Sequence, residues 1–291
     1  MGDYIISATA FNDTVRVFAA DTKDTANEAA GIHGASPVAA AALGRALTAA
    51  AIMGKTLKND GDKLSLIIKG DGPLGQIIVT TDAASRVKGY AAFPDCEVPL
   101  KPNGKLDVGG AVGAGTLTLI RDLGLKEPYV GQIALISGEI ADDLTYYFAK
   151  SEQIPTSIAL GVLVDRDRSV RASGGFMIQL MPGAGEETGD AIYEKLAALP
   201  PVTAMLDAGK TPEDILAMIF GADGFEILEK SPAGYFCGCG REKMEGALMS
   251  IGKADLGEIL ALDKQAELVC HFCGKKYLFS GDDLSRILAG M

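Results

Sequence analysis

The first 180 residues consist mainly of short segments in which apolar and polar residues alternate, which is the period of a half-buried strand. The segment 3–20 alternates on both sides of Asn12-Asp13 and predicts two strands joined by a turn. Predicted strands and helices do not succeed one another regularly, so the pattern favours an α+β fold with mostly antiparallel sheets. Further strands are predicted at 63–69, 76–81, 86–92, 116–120, 130–137, 157–164 and 169–180.

Helical periodicity occurs at three places in the same region, 22–30, 38–56 and 140–151. Ser36 and Pro37 precede the second of these segments, and they are a good N-cap and a good first helical residue. Its many alanines and glycines suit close packing under a sheet. We therefore expect a core domain in which helices pack against antiparallel strands.

The pattern changes after residue 180, where amphipathic helices follow one another up to residue 220. Pro200-Pro201 and Gly209 interrupt this stretch, and Thr211 with Asp214 has the form of a capping box. One interpretation is an ordinary connector packed on the core. The other is a segment whose apolar face can be exposed or covered.

Two glycine-rich segments have partial nucleotide-binding patterns. The segment 70–75 spells G-x-G-x-x-G, but that fingerprint needs a following helix to hold the pyrophosphate. A β-branched segment follows instead, so we expect a hairpin turn. The loop predicted at 109–115 also precedes a strand, and 183–189 lacks the Lys-Ser or Lys-Thr of a P-loop. Nucleotide binding is therefore not expected.

Four of the five cysteines lie in two short clusters near the C-terminus. Cys237 and Cys239 form a C-x-C pair, and after thirty intervening residues Cys270 and Cys273 form a C-x-x-C pair. Each pair on a tight turn directs two sulfurs at one point. Together they supply four thiolates, the number that a tetrahedral structural Zn²⁺ site takes. The spacing therefore predicts a Cys₄ metal site.

Other roles for these cysteines are weaker. The second pair also fits a thioredoxin-like redox motif, but that motif normally opens a helix after a strand. Here 274–279 predicts a turn that runs into a strand. His271 lies between two cysteines that already take ligand positions, so we do not expect it to bind the metal. Cys96 lies far from the other thiols and is interpreted as a structural or incidental thiol.

Composition narrows the function further. The 291 residues are 48% hydrophobic, enough for a sizeable core and a smaller second domain. The formal net charge of −11 repels phosphate backbones and argues against nucleic-acid binding. Residues 1–5 lack a secretory pattern, and the apolar runs 39–43 and 46–53 are short for a membrane span. We expect a cytoplasmic protein with reduced cysteines.

Besides the two cysteine pairs and their spacing, five further stretches carry a family resemblance: 42–47, 69–75, 123–129, 147–155 and 174–183. Together they resemble the heat-shock protein 33 family of redox-regulated holdase chaperones. The resemblance covers essentially the whole chain and includes the C-x-C and C-x-x-C pairs with their spacing. Gly240 departs from the family, whose members often carry serine there, and Cys96 is not part of the family pattern.

The resemblance implies that Cys237, Cys239, Cys270 and Cys273 bind one Zn²⁺ in the reduced chain. It also implies that oxidation forms Cys237–Cys239 and Cys270–Cys273 disulfides and releases the metal. Structural zinc contributes an apparent ~10–16 kcal/mol of binding free energy in a small module, which short disulfides cannot replace. We therefore expect the oxidised module to unfold. Arg241, Lys243, Lys275 and Lys276 lie beside the cysteines in sequence and are expected to offset the negative charge of the site.

The implied activity is ATP-independent holding of unfolding or aggregation-prone client proteins in the response to oxidative stress, without enzymatic catalysis. The oxidised form is expected to be a homodimer. The predicted domains are an α+β core domain at 1–180, a helical linker region at 181–230 and a zinc-binding redox-switch domain at 231–291. Residues predicted to bind clients are Ile192, Leu196, Leu199, Ile215, Leu216, Met218, Ile219 and Phe220.

Two alternatives use the same cysteines differently. The first is a thiol–disulfide oxidoreductase that acts through Cys270 and Cys273, for which turnover in insulin reduction would be diagnostic. The second is a zinc-ribbon factor that binds nucleic acid or the ribosome, for which salt-dependent retention on nucleic acid would be diagnostic. The acidic charge predicts no such retention.

Overall fold

The structure is a computed structural model that describes residues 2–291. The chain forms two compact units, one ending at Phe236 and one beginning at Cys237. The strands of the first unit are β1 (Tyr4–Ala10), β2 (Val15–Asp21), β3 (Lys63–Gly70), β4 (Gln76–Asp82), β5 (Arg86–Ala91), β6 (Gly115–Asp122), β7 (Tyr129–Ala134), β8 (Thr156–Val164), β9 (Val170–Leu180), β10 (Phe225–Pro232) and β11 (Gly234–Tyr235). Its helices are α1 (Lys23–His33), α2 (Pro37–Gly54), α3 (Val108–Val112), α4 (Ala141–Tyr147), which continues into a π-helical turn (Phe148–Glu152), α5 (Glu186–Ala197), α6 (Val202–Asp207) and α7 (Pro212–Phe220).

The strands of this unit form two sheets within the described residues. One sheet has the order β10-β1-β2-β9-β8 and the other β11-β5-β4-β3-β6-β7. Neighbouring strands are antiparallel except for the short pair of β11 and β5. The predicted α+β fold with mostly antiparallel sheets is thus confirmed, and 70–75 forms the β3–β4 hairpin turn expected in place of a nucleotide loop.

Helix α2 lies between the two sheets, where it contacts strands of both. Its N-terminus is capped as predicted, because the Ser36 hydroxyl accepts the Ala39 N–H at 3.3 Å. Gly44 allows close approach of β8, since a Cβ there would lie 2.9 Å from a methyl carbon of Val162. Arg45 pairs with Glu139 at 2.6 Å, which offsets the charge of this central helix.

In its length and apolar composition alone, α2 would suffice to cross a membrane. It unites the two apolar runs that Gly44 and Arg45 interrupt in the sequence. In the structure 89% of this stretch is buried inside the protein, as in the central helix of a folded core.

Helices α5, α6 and α7 pack on the opposite face of the five-stranded sheet. Their buried side chains join a second core with apolar residues of β1, β2 and β9. The predicted capping box of α7 is confirmed, because the Thr211 hydroxyl accepts the Asp214 N–H at 3.1 Å and the Asp214 carboxylate accepts the Thr211 N–H at 2.9 Å. Strand β10 follows α7 and pairs with β1.

Two predicted elements differ in detail. The expectation of a loop at 109–115 is wrong in part, since α3 begins before it. The Asp107 carboxylate accepts the Gly110 N–H at 3.0 Å and so caps a short helix despite the glycines. The helix predicted at 140–151 changes to π-helical geometry after Tyr147.

The second unit is a β-hairpin surrounded by helices. Its antiparallel strands place Val269 opposite Lys276 next to the turn. A small core unites residues of all five elements. These elements are α8 (Arg241–Ser250), α9 (Lys253–Leu262), β12 (Gln265–Val269), β13 (Lys276–Ser280) and α10 (Gly281–Gly290).

Candidate metal centre

The four clustered cysteines lie on two short turns of the second unit. Cys237 and Cys239 precede α8, and Cys270 and Cys273 lie in the turn between β12 and β13. The Gly274 N–H donates to the Cys270 carbonyl at 2.8 Å, which closes that turn. Gly274 has φ +68°, a left-handed conformation that glycine adopts without strain. The predicted turn leading into a strand is therefore present.

The two turns bring all four sulfurs together. Their Sγ atoms all lie within 4.8 Å of one another. The separations are 3.7 Å from Cys237 to Cys270 and 3.3 Å from Cys239 to Cys273. Tetrahedral zinc–thiolate bonds of about 2.3 Å place sulfurs roughly 3.8 Å apart. The donor set and its spacing thus fit one tetrahedral metal ion, and all five cysteines of the chain are free of disulfide bonds in this structure.

The thiols of this cluster differ in their acidity. Burial raises the pKa of Cys239, but hydrogen bonds with Tyr277 and the other cysteines outweigh burial and lower that pKa to about 7. Burial and hydrogen bonds to its neighbours raise the pKa of Cys273 to about 12. Burial likewise raises the pKa of Cys237. A bound cation would offset the mutual repulsion of thiolates held this close together.

A tyrosine contacts the cluster from β13. The Tyr277 hydroxyl oxygen lies 3.1 Å from Cys239 Sγ, and this hydrogen bond raises the pKa of Tyr277 to about 12. Tyr277 was not among the site residues predicted from the sequence. Its signal is modest: Tyr277 lies four residues after Cys273, and β13 alternates so that Tyr277 and Phe279 face inward.

The metal cluster and the core of the second unit share residues. Cys270 is buried and belongs to the same core as Leu256, Phe279 and Leu284. The other three cysteines pack against this core. Ligand geometry and side-chain packing in this unit are therefore coupled.

The cationic residues expected to offset charge have specific partners. The Lys243 ammonium donates to the Gly238 carbonyl, between two of the cysteines. Arg241 pairs with Asp283 at 2.8 Å, and Lys276 pairs with Glu267 at 3.0 Å. Lys243 therefore supports the first cysteine turn directly, whereas Arg241 and Lys276 pair with carboxylates.

Most residues predicted to bind clients lie in the core of the first unit. Ile192, Ile215, Leu216, Ile219 and Phe220 are buried on the five-stranded sheet. Leu196 and Leu199 are partly buried against the same core. Met218 differs from them, because it is 42% exposed. The amphipathic pattern thus located an apolar face that packs on a sheet.

Cys96 belongs to the first unit and takes no part in the metal centre. Its carbonyl accepts a hydrogen bond from the Ser36 hydroxyl at 2.5 Å, and its side chain packs at the edge of the main core. Burial raises the pKa of its thiol. These contacts agree with the interpretation of a structural thiol.

A family model described as Hsp33 protein matches residues 3–280. The chain belongs to the Hsp33 family. Relatives named 33 kDa chaperonin include that of Ruminiclostridium cellulolyticum, 51% identical over 288 residues, covering 99% of this chain and 98% of the relative. The 33 kDa chaperonin of Clostridioides difficile is 51% identical over 294 residues and covers both chains fully.

A solved Hsp33 structure agrees with this assignment. The crystal structure of the 33 kDa chaperonin (heat shock protein 33 homolog, HSP33) from Thermotoga maritima matches with a TM-score of 0.93 at 37% identity. The match covers 100% of this chain and 99% of that one. The resemblance to this family is thus confirmed, and the relatives of the chain are named as chaperonins.

Proposed function

We propose that this Hsp33 is a redox-regulated, ATP-independent holdase that is inactive while reduced and metal-bound and active after oxidation. The observation that carries the proposal is the convergence of four sulfurs at the core of a small unit, one of them buried in that core and three packed against it. A change in the state of these sulfurs is therefore expected to change the packing of that unit.

The proposed metal is one Zn²⁺ per chain, held by Cys237, Cys239, Cys270 and Cys273. Four soft thiolate donors in a tetrahedral arrangement are typical of structural zinc. Bound zinc would keep the sulfurs deprotonated and join the two cysteine turns. A cytoplasmic location, which we also propose, keeps thiols reduced in the absence of stress.

Oxidation by a peroxide is proposed to form Cys237–Cys239 and Cys270–Cys273. In each pair one sulfur attacks the peroxide, the O–O bond breaks and one hydroxide leaves. The second sulfur then attacks the oxidised sulfur, the S–S bond forms and the second oxygen leaves as hydroxide. Two peroxide molecules thus accept four electrons from four thiolates. No thiolate then remains to bind the metal.

Loss of the metal is expected to unfold the second unit. This unit comprises only Cys237–Met291. In a chain of fewer than roughly 70 residues, a single hydrophobic core rarely supplies enough stability. Each disulfide would close a very short loop, and short loops constrain the unfolded chain least. The disulfides therefore do not replace what four metal bonds contribute.

Client binding is proposed to involve the apolar face of α5–α7, with Ile192, Ile215 and Ile219 among its residues. Because that face packs on the five-stranded sheet, these helices must first leave the sheet. The Glu213 carboxylate of α7 accepts from the Tyr4 hydroxyl at 2.6 Å and pairs with Lys230 of β10 at 2.8 Å. Detachment would expose an adaptable apolar surface to unfolding proteins, and the oxidised form is proposed to dimerise.

The proposal is tested by suppression of aggregation of a denatured client with reduced and peroxide-treated protein side by side. Zinc release is followed in parallel with a chromogenic chelator. We expect stoichiometric protection only after oxidation, together with release of one zinc per chain. Equal protection by the reduced, zinc-loaded protein would contradict the switch. Turnover in insulin reduction, measured on the same samples, would instead favour an oxidoreductase.

A further inference from the structure

The four sulfurs of the metal centre have different surroundings. The sulfur of Cys239 contacts a hydroxyl group: its Sγ lies 3.1 Å from the Tyr277 hydroxyl oxygen. Cys270 is the most buried of the four, and Cys237 and Cys273 are half-buried. An identical set of four ligands is therefore not a set of four equivalent nucleophiles.

The direction of this hydrogen bond follows from the state of the sulfur. A metal-bound thiolate has no proton to give, so Tyr277 must donate and Cys239 must accept. Tyr277 is 7% exposed and packs in the core with Phe279 and Leu284. A side chain held in this way keeps its hydroxyl at one position.

Such a bond lowers the reactivity of the sulfur that accepts it. Nucleophilicity of a thiolate falls as its basicity falls, and a charge-assisted hydrogen bond reduces basicity. In a free thiol a larger ionised fraction would offset this loss. In the zinc-loaded cluster all four sulfurs are already ionised, so the hydrogen bond can only lower the nucleophilicity of the sulfur that accepts it.

We propose that Tyr277 is a positioning residue whose hydroxyl shields Cys239 from oxidants and other electrophiles in the zinc-loaded protein. This inference rests on the proposed zinc site. Attack by an oxidant then begins at a sulfur other than Cys239. The Tyr277 hydroxyl thereby slows oxidation of the zinc-loaded cluster and release of its metal.

The test compares wild type with Tyr277→Phe as full-length, reduced, zinc-loaded protein treated briefly with N-ethylmaleimide. Each modified sulfur adds to the maleimide double bond, and the adjacent carbon takes a proton from water. Tryptic peptides 231–241 and 265–275 separate the two cysteine pairs, and fragmentation distinguishes the sulfurs within each pair. We expect the Cys239 rate in the variant to rise roughly three- to tenfold relative to the other three.

Two further samples separate the hydroxyl from general loosening. Phe279→Leu weakens the same core but keeps the hydroxyl, and it should raise all four rates together. Wild-type protein grown with 3-fluorotyrosine carries a stronger donor, and its Cys239 should react more slowly. This second sample keeps the test decisive if Tyr277→Phe does not fold.

The outcomes also separate this inference from the proposed function. An equal rise at all four sulfurs in Tyr277→Phe, or no change at Cys239, would overturn the role of Tyr277 while zinc binding stands. Absence of zinc from reduced wild-type protein would overturn the metal site, and the inference with it. A selective rise at Cys239 supports both.

Discussion

The two units of this Hsp33 are stabilised by different means. In the first, α2 lies between two sheets, and its buried alanines, leucines and isoleucine join a core made from many elements. In the second, a few buried side chains surround a hairpin, and one of them, Cys270, is a proposed metal ligand. Burial of apolar surface rises with chain size, so the smaller unit gains least from packing. We therefore expect that one unit can lose its fold while the other keeps it.

The largest expected effect is that of Cys270→Ser, which removes the buried ligand. Hydroxyl is a poor zinc ligand, so we expect loss of tight zinc binding and unfolding of residues 237–291 without oxidant. Metal analysis and limited proteolysis measure both consequences. The matched control is Cys96→Ser, which changes a thiol of the first unit and should retain full zinc. Unchanged zinc content and protease resistance in Cys270→Ser would contradict the account.

The converse substitution is Leu47→Ala in α2, where Leu47 is fully buried. Removal of a buried leucine side chain costs about 2–5 kcal/mol of unfolding free energy. We expect denaturant unfolding to show this loss for the first unit, while zinc content and the Cys239 environment stay as in wild type. Loss of zinc at denaturant concentrations where the variant is still folded would show that the units depend on each other.

Within the first unit, we expect α7 to be easier to release than the sheets. Burial raises the pKa of Glu213, but hydrogen bonds from Lys230 and Tyr4 outweigh burial and lower it. A carboxyl group with a lowered folded pKa stabilises the fold above its unfolded pKa of about 4.3, and this contribution is lost as the pH falls through the folded pKa.

Glu213→Gln should therefore lower the free energy of unfolding by under about 1 kcal/mol at neutral pH, because the carboxylate is partly exposed. Hydrogen exchange of α7 measures the effect, which should disappear at acid pH. Glu226→Gln on the exposed edge strand β10 is the control and should change little. Equal hydrogen exchange of α7 in both variants at neutral pH would show that Glu213 does not help to hold α7 on the sheet.

The smallest expected effect is that of Gly240→Ser at the N-cap of α8. Gly240 has an extended backbone with φ −158°, and nothing lies within 4 Å of an added Cβ. A serine hydroxyl can cap the helix, which stabilises it by a few tenths of a kcal/mol relative to glycine. The thermal unfolding temperature of the zinc-loaded protein should rise slightly. A clear decrease in this temperature would show that glycine is required at position 240.

Much of the fold and of the candidate site could be predicted from the sequence, because apolar alternation and the spacing of cysteines are local signals. Most of the strands from β1 to β7 follow from alternation, whereas β9 is buried along almost its whole length. The candidate metal centre follows from the positions of four cysteines. Strand β10 does not alternate and is exposed along most of its length, so its pairing with distant β1 has no local signal. The contact of Tyr277 with Cys239 likewise depends on how two turns meet.

The face of α5–α7 shows a different limit. Its amphipathic pattern identifies residues such as Ile215 and Ile219 as apolar neighbours on one side of a helix. The same pattern fits a surface that binds clients and a surface that packs on a sheet. Only the fold shows that the sheet covers it in this structure.

The most direct test is hydrogen exchange by mass spectrometry on the full-length protein, reduced with zinc and then oxidised without it. We predict that amides of β12, β13 and α10 lose their protection on oxidation, while those of α2 keep theirs. Retained protection in the second unit after complete zinc release, or equal loss in α2, would contradict the claim that one metal ion maintains one unit alone.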